Sequence, residues 1–144
     1  MSLYSRYATN KQAESEGVAL NFPDGVIFTV RSTDSDRVRE IESRWMKRNR
    51  QAIMASGGIM SPALQDDKDL TILVDGILVG WQKVTDAEGK PLEFTRENAR
   101  KLMGDLRELR KELLYLAGMG ETFRASELQE AVGNSPAPLT PTSA

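Results

Sequence analysis

Two short runs near the amino end alternate apolar with small or polar residues, as strands with one buried face do. The alternating apolar positions are Val18, Leu20, Phe22, Val26, Phe28 and Val30. Pro23-Asp24-Gly25 separates the runs, and each of these residue types favours a tight turn. The pattern predicts a β-hairpin that follows a lead-in, residues 1–16, polar enough to be flexible. Because two strands alone are unstable, the apolar face must pack against helices.

Helical periodicity begins after residues 32–36, which offer several N-cap residues. Val38, Ile41 and Trp45 recur at helical spacing, followed by Ala52 or Ile53, until Gly57-Gly58 ends the pattern. The spacing predicts an amphipathic helix of about 20 residues with Trp45 on its core face.

The segment Leu70–Trp81 fits two structures. Asp75-Gly76 between β-branched residues is a strong hairpin signal. The apolar residues also fill every position of a helical stripe, and Gly76 and Gly80 would then share a face that a neighbouring element approaches closely. We favour the helix, and the hairpin remains the alternative.

Further helices and turns are predicted for the rest of the chain. Thr95 is a helix N-cap, and Gly104-Asp105 allows either one kinked helix or two short helices in series. Residues 123–132 predict a short final helix, and the Pro/Ser/Thr-rich residues 134–144 predict a disordered tail. The predicted fold is α+β and mainly α-helical, with the N-terminal β-hairpin packed on about four or five helices in one globular domain, residues 1–133.

Composition narrows the chemistry. The 144 residues include no cysteine and no histidine, which excludes cysteine nucleophiles, imidazole acid–base catalysis and the usual zinc sites. No phosphate-binding glycine loop is present either. A net charge of −2 gives no overall field that would attract nucleic acid or a membrane. We therefore expect a cytoplasmic binding protein that needs no cofactor and is not an enzyme.

Two charged clusters have functional alternatives. An acidic cluster could bind a hard cation, but we favour acids in the first helical turn: Asp66, Asp67 and Asp69. A basic stripe could bind phosphates, but acids interleave with it and we favour a solvated helix face: Arg37, Arg39, Arg44, Lys47, Arg48 and Arg50.

The string from Gly80 to Leu102 contains a tryptophan, an acidic turn with a glycine, a Leu-x-Phe-Thr sequence, and Glu-Asn at the start of a helix. Its defining positions are Trp81, Gly89, Leu92, Phe94 and Asn98. This string resembles the tail assembly chaperones of long, non-contractile-tailed bacteriophages (siphophages). The likeness extends more weakly to residues 106–123 and to the N-terminal β element.

The resemblance implies a helper made in the host bacterial cytoplasm and absent from the mature virion. Such a helper binds the tape measure protein in several copies, keeps it soluble and helps to recruit the tail tube protein. The alternative is a structural tail or head-tail connector subunit that stays in the virion. The C-terminal helices have more apolar positions than one core face needs, so the candidate contacts, where exposed, are Leu109, Leu116 and Phe123.

Overall fold

The computed structural model describes residues 2–124. In chain order the elements are α1 (Leu3–Tyr7), α2 (Lys11–Glu16), β1 (Val18–Asn21), β2 (Ile27–Val30), α3 (Asp36–Arg48), α4 (Arg50–Ala55), α5 (Pro62–Thr71), a π-helical turn (Ile72–Ile77), β3 (Leu78–Gln82), α6 (Arg96–Asp105) and α7 (Arg107–Gly118). Short 3₁₀ turns cover Pro23–Gly25 and Gly120–Phe123. The α+β, mainly α-helical class is confirmed. The helix predicted over 123–132 falls almost wholly outside the described residues, and the tail 134–144 and the domain end at 133 lie entirely outside them.

The predicted hairpin forms from β1 and β2. The strands are antiparallel, with Val18 opposite Val30. In the turn, Asp24 and Gly25 have φ values of 65° and 77°, a region that glycine and aspartate tolerate better than most residues. A third strand, β3, pairs antiparallel with β2 and gives the sheet order β1-β2-β3.

The segment Leu70–Trp81 is neither the continuous helix that we favoured nor the hairpin. It stays helical through Ile77 and then changes to β3 at Leu78. Pairing with β2 supplies backbone hydrogen bonds and places Trp81 opposite Phe28, so tertiary pairing overrides the helical stripe. Gly76 does lie against a neighbour, since a Cβ there would sit 3.3 Å from Val38 Cγ2. For Gly80 the expectation was wrong, because no neighbouring atom among residues 2–124 lies within 4 Å of such a Cβ.

The helix predicted from residue 36 onwards is divided at Asn49. This residue has φ −107° and ψ 11°, and its side-chain amide donates to the Trp45 carbonyl at 2.9 Å, competing with the backbone ladder. Trp45 is buried, as predicted. The lead-in forms α1 and α2, whose N-caps are Ser2 and Asn10. These divisions give seven α-helices within residues 2–124 instead of four or five.

The core lies between one face of the sheet and helices that come both before and after β3 in the chain. Its buried residues include Phe28, Val30, Val38, Leu73, Ile77, Met103, Leu113 and Phe123. The two-helix alternative for the C-terminal region is correct, with Thr95 Oγ1 capping α6 by accepting from the Asn98 amide at 3.0 Å. Within the described part of the chain, no helix combines the length and apolar character needed to cross a bilayer.

Candidate functional site

The residues of the Gly80–Leu102 string meet around the loop of residues 83–94. Trp81 Nε1 donates to the Leu92 carbonyl at 2.8 Å. The Trp81 ring also meets the Phe94 ring edge to face, with 5.0 Å between centroids. The same geometry continues from Trp81 to Phe28 and from Phe28 to Phe22, which forms an aromatic row across the sheet. These contacts attach the loop to β3.

The other two defining residues of the string, Gly89 and Asn98, shape the loop and its connection to α6. Gly89 has φ 82°, within a turn where Asp86 Oδ1 accepts from two backbone amides at 2.9 Å. Asn98 Nδ2 donates to the Glu93 carbonyl at 2.9 Å, which joins the loop to the start of α6. All five residues therefore have a structural role within the chain. Together they form one structural unit.

The expectation that the acidic cluster lies in the first turn of its helix is wrong. The helix begins earlier, at Pro62, after Ser61 Oγ accepts from the Leu64 amide at 3.2 Å. Proline is favoured at this first helical position because its missing N–H would have no helical partner there. The three aspartates therefore lie in the later turns of α5 and not in the first.

Basic side chains from the two C-terminal helices reach this acidic cluster. Asp67 accepts from Trp45 Nε1 at 2.8 Å and from Arg100 Nη2 at 2.6 Å. Asp66 lies 3.5 Å from the buried Arg110. The acids thus connect α3, α5, α6 and α7. Among residues 2–124, no group of three or more acidic side chains is arranged to hold a metal ion.

A second acid–base pair closes a cavity beside the π-helical turn. Arg96 donates to both carboxylate oxygens of Asp75, at 2.7 and 3.1 Å. The hydrogen bond and the charge of Asp75 raise the pKa of Arg96 above its usual value. The cavity measures about 400 Å³, and Arg37 and Arg44 stand on its α3 side.

The structure places the three candidate contact residues differently. Phe123 is 1% exposed and belongs to the core. It is therefore excluded as a partner contact, because the prediction required an exposed side chain. The lead-in lies beside it, since the Asn10 amide donates to the Phe123 carbonyl at 2.7 Å. Leu109 and Leu116 are half-buried and remain candidates. The largest exposed apolar side chain on α7 is Tyr115, at 67%.

Sequence reasoning missed an exposed apolar surface at the junction of α3 and α4. Met46, Met54 and Ile59 are 40%, 69% and 76% exposed. The core position expected at Ala52 or Ile53 is wrong, because Ala52 is exposed, Ile53 is only half-buried and no residue of α4 is buried. We call Ser43, Met46, Lys47, Arg50, Ile53 and Met54 the α3–α4 surface. The sequence from Ser43 to Met54 contains no acidic residue. This absence was the signal from which the exposed surface could have been predicted.

Comparison with known families gives one finding. A family model described as YdaY prophage protein matches residues 33–134, well over half of the chain. The match includes the whole Gly80–Leu102 string and every element from α3 to α7. No curated protein and no solved structure matches the chain.

Proposed function

The chain belongs to the YdaY prophage protein family and is phage-derived, and on that premise we propose that it is a tail assembly chaperone. It binds the tape measure protein in the host cytoplasm, keeps it soluble and helps to recruit the tail tube protein. Several copies bind along one tape measure chain. The protein acts by binding, without catalysis and without a cofactor.

Phage origin and the sequence string support this proposal together. The string that resembles tail assembly chaperones lies inside the residues that match the prophage family. Its five positions form one structural unit, so the resemblance concerns a connected part of the fold and not scattered residues.

The observation that carries the proposal is the exposure of large apolar side chains on helices. Met46 and Met54 are 40% and 69% exposed on two adjoining helices. Where exposed apolar side chains lie together, as Met46 and Met54 do beside the half-buried Ile53 on the α3–α4 surface, they mark interaction sites in soluble proteins. A long amphipathic helix presents apolar anchors at regular intervals, which suits binding by several copies of a small helical protein.

Mass spectrometry of purified phage particles tests whether the protein leaves before assembly ends. Particles carrying the cognate tail genes are purified, and peptides of this protein are quantified beside those of the tail tube protein. We expect tube peptides in the particles and peptides of this protein only in the lysate. Stoichiometric presence in the particles would overturn the proposal in favour of a structural tail or connector subunit.

A further inference from the structure

The stretch of residues 43–65 is basic in a chain whose net charge is −2. It contains no acidic residue and four basic ones, Arg44, Lys47, Arg48 and Arg50. Of these four, Arg44 pairs with Glu40 at 2.7 Å. Within residues 2–124, the other three form no ion pair with an acidic side chain. Their positive charge is therefore available to a partner.

The helix α4 owes its shape to local hydrogen bonds and not to burial. The Gly58 amide donates to the Ile53 carbonyl and the Gly57 amide to the Met54 carbonyl, each at 3.0 Å. Gly57 has φ 76°, so the three features together form the Schellman motif that ends many helices. Through this motif α4 carries Ile53 and Met54 at the surface. None of the residues of α4 is buried in the core.

The α3–α4 surface is concave. It encloses about 360 Å³, with Met46, Ile53 and Met54 as its apolar part and Lys47 and Arg50 as its cations. Methionine adapts its shape to varied apolar partners and is frequent at surfaces that bind many different helices. A basic border around an apolar groove favours a partner whose own apolar stripe is bordered by acids.

We propose that the α3–α4 surface binds an amphipathic α-helix of a partner protein. The apolar side of that helix contacts Met46, Ile53 and Met54, and its flanking Asp or Glu residues pair with Lys47 and Arg50. A nucleic acid fits less well, because none of the described residues that line the groove is aromatic and could stack on a base. A flat bilayer would not fill a concave surface. The inference rests on the proposed function only in taking the tape measure protein as the source of such helices.

Two synthetic helical peptides test the charge and the shape of this surface. Both carry leucines at i, i+3, i+4 and i+7; one has glutamates beside them and its twin has lysines. Fluorescence anisotropy with the full chain is expected to show binding of the glutamate peptide alone, weakened by added salt. The double variant Lys47→Glu with Arg50→Glu should lose at least about tenfold in affinity for the glutamate peptide and gain affinity for the lysine peptide.

A matched pair of variants separates this surface from exposed apolar side chains in general. Met54→Ser and Tyr115→Ser each remove one apolar side chain of nearly equal exposure, 69% and 67%. We expect weaker peptide binding in Met54→Ser only, with unchanged circular dichroism in both. Equal effects of the two variants, or equal binding of both peptides, would overturn the inference. Binding of duplex DNA or anionic vesicles in place of the peptide, or a dimer that Met54→Ser dissociates, would also overturn it.

The tape measure protein then distinguishes this inference from the proposed function. If the wild-type chain solubilises it and Met54→Ser does so equally well, the inference fails and the chaperone proposal stands. If the glutamate peptide binds as expected but the wild-type chain leaves the tape measure protein insoluble, the surface stands and the chaperone proposal fails.

Discussion

Asp67 shows how one residue on an exposed helix face can hold several elements together. One carboxylate oxygen accepts from the indole of Trp45, which is 1% exposed, and the other accepts from Arg100. The side chains of Asp67 and Arg100 are 48% and 35% exposed, so water screens the charge interaction and its net contribution is small. The hydrogen bond to the indole matters more, because Trp45 is buried and its N–H donates to Asp67.

Replacing this aspartate tests which of its two contacts matters. Asp67→Ala leaves the indole N–H without an acceptor and should lower the free energy of unfolding by about 1–3 kcal/mol. Asp67→Asn removes the charge but keeps an acceptor oxygen, and should cost less than about 1 kcal/mol. Urea midpoints of the two variants measure the difference. Equal midpoints would mean that the ion pair with Arg100 dominates.

At the scale of elements, the change from helix to strand at Ile77–Leu78 determines how α3 meets the sheet. The π-helical turn brings Gly76 against α3, where a Cβ would lie 3.4 Å from the Val38 Cα as well as close to its side chain. Backbone cannot move aside as a flexible side chain can, so even one methyl group would overpack this contact.

Two glycine variants test this contact. Gly76→Ala should destabilise the protein by about 1 kcal/mol or more, because the added methyl group meets α3. Gly80→Ala is the matched control, since no neighbouring atom in the described part of the chain lies within 4 Å of a Cβ added there and alanine loses less backbone freedom on folding. We expect an unchanged or raised melting temperature for Gly80→Ala. A larger loss at Gly80 than at Gly76 would contradict the packing described here.

Local sequence signals were sufficient to predict the elements whose structure depends on residues nearby in the chain. The turn Pro23–Gly25 fixed the hairpin, and the Thr95 cap fixed the start of α6. Local signals did not predict the features that depend on contacts with residues far away in the sequence. Strand β3 exists because β2 is there to pair with it, and a short apolar run is compatible with a strand as well as with a helix. The arginine partners of the α5 acids likewise come from helices 33 to 44 positions away.

At the scale of the whole molecule, exposed apolar side chains lie on separate helices. The α3–α4 surface exposes Met46 and Met54, α7 exposes Tyr115, and α1 exposes Leu3 and Tyr4. A protein with several such groups can contact one long helix and its own copies at the same time. This arrangement fits the proposal of several chaperone copies along one tape measure chain.

The central claim is that this phage protein keeps the tape measure protein soluble, and co-expression tests it most directly. The cognate tape measure protein is produced with and without an excess of the wild-type chain, and the soluble fraction is quantified after centrifugation. The account predicts that the tape measure protein moves from the insoluble to the soluble fraction, with several copies of this chain bound per tape measure chain. A tape measure protein that stays insoluble in the presence of excess wild-type protein would contradict it.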